Sequence, residues 1–178
     1  MHAKILFCGF GGQGVIMMGY LLAMGGMYED KNVTCLPSYG AEVRGGTANC
    51  TVVISTEEIA SPVASEPEFA VFMNQPSLMR FQNQVQSGGA IFLNTSLIEG
   101  RPIRGDLDIY EVPISELAKK LEDSKASNMI MLGAFLRKSG LVSFDTMVRV
   151  LKETFGHRNP SVLRLNRVAL QLGYDYLE

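Results

Sequence analysis

The sequence predicts an α/β fold: three αβα layers around a Rossmann-like, mostly parallel sheet, with a helical C-terminal third. Three observations carry this. Short continuous apolar runs at residues 5–8, 69–73 and 90–93 each end at a glycine or polar turn signal, as buried parallel strands do. Stretches of helical length follow the first two, from Val15 and from Pro76. After Pro113 the strand-like runs stop and helical patterns take over. At 178 residues and 47% hydrophobic content the chain can bury a core of its own, and a single domain over residues 1–178 is expected.

Taken in order, Ile5-Leu6-Phe7-Cys8 reads as a strand ending at Gly9. Residues 15–28 read as a helix interrupted by Gly19, Gly25 and Gly26. A glycine inside a helix costs about 1 kcal/mol relative to alanine, so Gly19 implies close backbone packing, and the Gly25-Gly26 pair is expected to loosen the last turn. Residues 32–36 form a second strand, stopped by Pro37. Residues 38–46 are a glycine-rich polar loop, and 47–55 a β-rich run centred on Val52-Val53-Ile54. Ser61-Pro62 and Glu66-Pro67 punctuate a connection to the strand at 69–73. A helix then runs from Asn74-Gln75-Pro76 to about Val85, with Pro76 in its first turn. Ser87-Gly88-Gly89 turns the chain into the strand at 90–93, and 107–112 is a further strand ended by Pro113. Four helices close the chain, at 115–122 with Ser115 as its cap, at 128–138, at 144–155, and from Pro160 onward.

The charge balance, 16 Lys+Arg against 18 Asp+Glu, gives no electrostatic footprint for nucleic acid. Cys8, Cys35 and Cys50 are too far apart in sequence for a CxxC centre, so metal or iron–sulfur chemistry, if any is involved, must sit on another chain. Residues 5–28 carry no charge, but glycines at 9, 11, 12, 14, 19, 25 and 26 argue for a strand–turn–helix unit and against a membrane span. The opening Met1-His2-Ala3-Lys4 is not a signal-peptide start, and a soluble cytoplasmic protein is expected.

Gly9-Phe10-Gly11-Gly12-Gln13-Gly14 satisfies GxGxxG between a strand and a helix. Such a turn can bring backbone N–H groups at a helix start to a phosphate. It can equally serve a tight junction against a neighbour, and both readings stand. A nicotinamide cofactor would need an acidic residue at the end of the second strand, where Cys35-Leu36-Pro37-Ser38 stands instead. A P-loop would need Gly-Lys-Ser/Thr where Gln13-Gly14-Val15 stands. The second candidate segment places Ser38, Tyr39, Glu42 and Arg44 among Gly40, Gly45 and Gly46. Arg44 suits a bidentate clamp on phosphate or carboxylate, and equally a pair with Glu42 or a subunit contact. Since both segments follow strands, they are expected to line one crevice at the carboxyl ends of the sheet. No catalytic set appears: His2 and His157 read as surface residues, and Cys8 as core rather than nucleophile. The ten methionines read as core or subunit contacts.

The two segments together, Gly9-x-Gly-Gly-Gln-Gly14 and Pro37-Ser-Tyr-Gly-Ala-Glu-Val-Arg-Gly-Gly46, resemble the gamma subunit of the 2-oxoacid:ferredoxin oxidoreductases. The likeness continues through Val53-Ile54-Ser55, Ile59-x-Ser61-Pro62, Asn128-Met-Ile-Met-Leu-Gly133 and Asn166-x-x-Ala169-x-x-x-Gly173, nearly the whole chain. The resemblance implies a non-catalytic subunit of an enzyme that converts a 2-oxoacid and coenzyme A to acyl-CoA and CO2, reducing ferredoxin. It implies alpha and beta catalytic subunits that hold thiamine diphosphate with Mg2+. Fe–S clusters would sit on beta or on a ferredoxin-like delta subunit, and this chain would bind no cofactor alone. Residues 9–14 and 38–46 would face that core, with coenzyme A as the ligand within reach, and 2-oxoglutarate is favoured over pyruvate or branched-chain acids. The competing expectation is a free-standing Rossmann-like protein that binds a small ligand or nucleotide.

Overall fold

The computed structural model describes residues 1–40, 47–121, 126–157 and 159–178. Six strands, β1 (His2–Phe10), β2 (Asn32–Tyr39), β3 (Thr47–Ser55), β4 (Phe69–Phe72), β5 (Ala90–Asn94) and β6 (Asp108–Val112), form one sheet in the order β2-β3-β1-β4-β5-β6. The half β1-β4-β5-β6 is parallel. On the other edge of β1 the sheet turns antiparallel, β3 pairing with β1 and β2 with β3. The reason is chain length. Seven residues separate β2 from β3, enough for a hairpin but too few for the crossover that parallel neighbours require.

That hairpin also corrects a boundary. Pro37 does not stop β2, which continues to Tyr39 with Pro37 opposite Cys50. An edge strand leaves one row of N–H groups unpaired, so a residue without an N–H is tolerated there. β1 likewise outruns its apolar run, because β3 pairs with it from His2 to Phe10.

Among the described residues six α-helices flank the sheet: α1 (Val15–Tyr28), α2 (Gln75–Phe81), α3 (Ile114–Ala118), α4 (Ser127–Ser139), α5 (Phe144–Phe155) and α6 (Pro160–Tyr176). Alternation along β1 sends Ile5 and Phe7 to one core, with α1 and α4, and Leu6 and Cys8 to a second, with α2. In the first core Phe135 of α4 meets the rings of Phe7, Phe69 and Phe92 edge-on at centroid distances of 5.6, 5.8 and 5.2 Å. The second core joins Phe72 and Ile91 to Leu78 and Phe81.

Glycines permit the closest approaches. A Cβ at Gly19 would lie 2.4 Å from Cys50 Sγ, the close packing expected there. Gly25 and Gly26 do not loosen α1: they are buried against Val142 and Val33, and the helix continues to Tyr28. α6 packs across the outer side of α4 where Gly173 meets the carbonyl of Ile130 and Gly133 that of Leu170. The side chains of Asn74, Ser143 and Asn159 cap α2, α5 and α6. Ser115 is not a cap. α3 begins one residue earlier, after Pro113, and the Ser115 N–H donates to Ser96 Oγ at 2.8 Å. The expected helix at 115–122 ends at Ala118, and its far end, residue 122, lies outside the described residues.

Candidate functional site

From β1 the chain passes through α1 to β2 at one edge of the sheet, and from β4 through α2 to β5 on the other side. The chain therefore departs in opposite directions from adjacent parallel strands, which opens a crevice at their carboxyl ends. That crevice, about 320 Å³, has the Gly12-Gln13-Gly14 turn, Met73 and Asn94 along the strand ends. Ile114 and Ser115 of α3, with Ser127 and Asn128 of α4, form the opposite wall.

Gln13 fastens its floor. Its Oε1 accepts the Phe10 N–H at 2.7 Å and the Asn74 amide at 2.9 Å, while its Nε2 donates to the Met73 carbonyl at 3.2 Å. Asn94, buried at the end of β5, donates to the same carbonyl at 3.1 Å and accepts the Ser96 N–H at 3.2 Å. The ends of β1, β4 and β5 are thus tied by one amide network, the arrangement that holds a site rigid when its buried polar groups are paired.

The glycines of the turn divide by role. A Cβ at Gly9 would meet Gln13 Oε1 at 2.7 Å and Val15 Cγ1 at 2.9 Å, and one at Gly14 would meet Asn128 Nδ2 at 2.4 Å. Those two glycines serve packing, and Gly14 also sits in the left-handed region with φ 74°. Around Gly11 and Gly12 there is open space, and both are exposed. α1 and α4 both begin at the crevice, with no side-chain cap and no acidic residue in the first turn. Two helix dipoles therefore present their positive ends there, which favours an anion.

Among the described residues the lining is amide, hydroxyl, glycine and apolar, with no carboxylate, imidazole, amine or thiol, a surface suited to binding and orienting a ligand. Cys8 lies beneath it in the second core, where burial pushes its thiol well above the ordinary range. His2 and His157 are exposed. Among the described residues no three His, Cys, Asp or Glu side chains gather as a metal site, and no helix is long and apolar enough to cross a membrane.

Ser38 and Tyr39 end β2 at the same end of the sheet, since Phe10 faces Thr47 and Tyr39 faces Ala48. β3 stands between, which sets β2 about 10 Å from β1, and neither residue lines the crevice. Tyr39 is 74% exposed, and the Gly40 N–H closes the hairpin on the Thr47 carbonyl at 2.9 Å. Glu42, Arg44, Gly45 and Gly46 lie outside the described residues. Sequence reasoning missed Asn74 and Asn94. The signal was there, an amide directly after the buried runs at 69–73 and 90–93.

A family model described as pyruvate ferredoxin/flavodoxin oxidoreductase matches residues 4–176. Subunit VorA of the ketoisovalerate oxidoreductase of Methanothermobacter thermautotrophicus is 35% identical over 98% of this chain, which spans only 36% of VorA. The 2-oxoglutarate synthase subunit KorC of Methanocaldococcus jannaschii is 29% identical over 86% of the chain and 84% of its own length. Among solved structures, a keto/oxoacid ferredoxin oxidoreductase gamma subunit from Geobacter sulfurreducens shares the fold with a TM-score of 0.84, at 24% identity over 98% of both chains.

Proposed function

The chain belongs to the pyruvate ferredoxin/flavodoxin oxidoreductase family as a gamma-type member, and from that premise we propose that it is the non-catalytic gamma subunit of a thiamine-diphosphate-dependent, CoA-acylating 2-oxoacid:ferredoxin oxidoreductase. The observation that carries this reading is the crevice: three strand ends and two helix starts converge on a lining that, among the described residues, is amide, hydroxyl, glycine and apolar. The chain shapes and covers a site whose chemistry other subunits perform.

The residues present do not fit the family's redox cofactors. A four-thiolate iron–sulfur cluster needs more than the three cysteines the chain has, and Cys8 and Cys50 are buried in opposite cores. Thiamine diphosphate, Mg2+ and the clusters are assigned to alpha, beta and delta-type partners, and no step is routed through this chain. Its part is contact. The residues proposed for that contact are Gly11 to Gly14 and Arg44, which would touch a phosphate of coenzyme A or order the neighbouring subunit, with Tyr39 and Glu42 proposed to fix the second segment. An apolar stripe on α1 supports a covered face: Met17, Tyr20 and Met27 are exposed, Met24 falls between them, and the helix carries no charge. The relatives' names include a branched-chain acid and 2-oxoglutarate. We place 2-oxoglutarate first and expect the acid to be selected on the catalytic subunits.

Anaerobic purification of the chain from its own cells tests this directly. Co-elution with larger subunits, thiamine diphosphate, brown colour and 2-oxoacid-dependent ferredoxin reduction is expected, with a substrate panel naming the acid. Elution alone and colourless, with a bound small ligand, would establish a free-standing binding protein instead. In the assembled enzyme Arg44→Ala should lower turnover and raise the KM for coenzyme A; unchanged kinetics would remove Arg44 from the role.

A further inference from the structure

We propose that Cys35 and Cys50 form a peroxide-responsive thiol pair on the β2–β3 ladder that closes to a cross-strand disulfide when oxidised. Their Sγ atoms stand 3.4 Å apart. In the register Cys35 faces Val52 and Cys50 faces Pro37, so the two thiols are diagonal neighbours on the face that α1 covers. A disulfide needs about 2.05 Å between sulfurs, so they must approach by roughly 1.4 Å, within reach of a χ1 adjustment at an exposed cysteine.

The surroundings give the two sulfurs different roles. Cys35 is exposed on the edge strand, where a small oxidant reaches it, and Cys50 is fully buried. The space for Cys50 Sγ exists because Gly19 of α1 has no side chain, which seats that sulfur between helix and ladder. The contact with Cys50 lowers the Cys35 thiol to about 7, while Cys50 is pushed well above the ordinary thiol range by the same contact and by burial. The exposed Cys35 is therefore the thiol that meets the oxidant, and the buried Cys50 beside it the resolving thiol. Cys8 lies in the core on the opposite face of the sheet and does not compete.

The chemistry balances with hydrogen peroxide as oxidant. The Cys35 thiolate attacks one peroxide oxygen, the O–O bond breaks, and hydroxide leaves and takes up a proton, giving a sulfenic acid and water. Cys50 loses its proton and attacks the Cys35 sulfur, the S–O bond breaks, and a second water departs. Two thiols and one peroxide become one disulfide and two waters, and a dithiol reductant reverses the change. The bridge fixes the part of β2 that leads to Ser38 and Tyr39. This holds whether or not the chain acts as an oxidoreductase subunit.

The test uses the full-length chain, purified anaerobically, exposed to a modest excess of hydrogen peroxide at neutral pH, then denatured in maleimide and weighed intact. Loss of two of the three reactive thiols is expected, recovered with dithiothreitol, with peptide mapping that joins Cys35 to Cys50 and leaves Cys8 reduced. Cys35→Ser should slow oxidation by about tenfold or more, since only buried thiols remain. Cys50→Ser should accumulate a Cys35 sulfenic acid that dimedone traps. Retention of three reactive thiols in the wild type would overturn the proposal, as would a disulfide between two chains or a Cys35→Ser variant that oxidises at the wild-type rate. The wild-type measurement decides the matter even if either variant folds poorly.

Discussion

At the scale of single residues, the glycine turn separates into positions that packing needs and positions that stand free. Gly14→Ala places a side chain at φ 74° against Asn128, and a loss of about 2 kcal/mol in stability is expected by denaturant titration. Gly11→Ala meets nothing within 4 Å and should change stability by less than about 0.5 kcal/mol. A drop in activity of the assembled enzyme on Gly11→Ala would then report contact at the mouth of the crevice, since the fold is spared. Glu29 offers a pH signature. Its carboxylate links the end of α1 to the start of α5, accepting from Lys31 Nζ and from the Ser143 N–H, each at 2.7 Å. Burial by itself raises its pKa, yet these bonds and those from Thr146 and Ser143 outweigh it and hold it at about 2, against 4.5 ordinarily. The folded value lies below the unfolded one, so this stabilisation is present above about pH 4.5 and fades as the pH falls through about 2. Melting temperatures over that window should fall less steeply for Glu29→Gln than for the wild type.

At the scale of elements, helices were read closely because their signals are local. The helix at 144–155 and the start at Pro160, read from apolar spacing and a first-turn proline, match the structure, whereas the cap read at Ser115 does not. Strand ends were read less well. Whether Pro37 stops β2 depends on whether β2 has one neighbour or two, and no window of sequence holds that information. The packing of α4 on α6 is likewise invisible until both helices are placed. A Cβ at Gly173 would fall 1.8 Å from the Ile130 carbonyl oxygen, so Gly173→Ala must push the helices apart. Destabilisation on the order of 3 kcal/mol is expected, and Gly105→Ala, with open space around it, serves as the control.

At the scale of the molecule, α1 is apolar on every side, yet only part of it meets the sheet and α5. A helix of that kind is stable in water when its remaining face is covered. Changing Met17 and Met27 to serine should leave the fold intact, because both point outward. The same change should weaken association with the catalytic subunits, measured as loss of co-elution on size exclusion. Undiminished assembly would place the interface elsewhere.

The glycine turn and the run of α/β elements were decided by residues close together in sequence, where strand runs and turns are written, and the family resemblance by motifs spaced along nearly the whole chain. The mixed sheet, the Gln13–Asn74–Asn94 network and the Cys35–Cys50 contact depend on which strands become neighbours. Tertiary structure alone decided these. The hairpin at β2 and β3 sets Tyr39 apart from the glycine turn by the width of β3, and it brings together two cysteines fifteen residues apart. Strand pairing is a non-local choice, fixed by burying both faces of β1 at once, and it is settled only when the whole sheet is assembled.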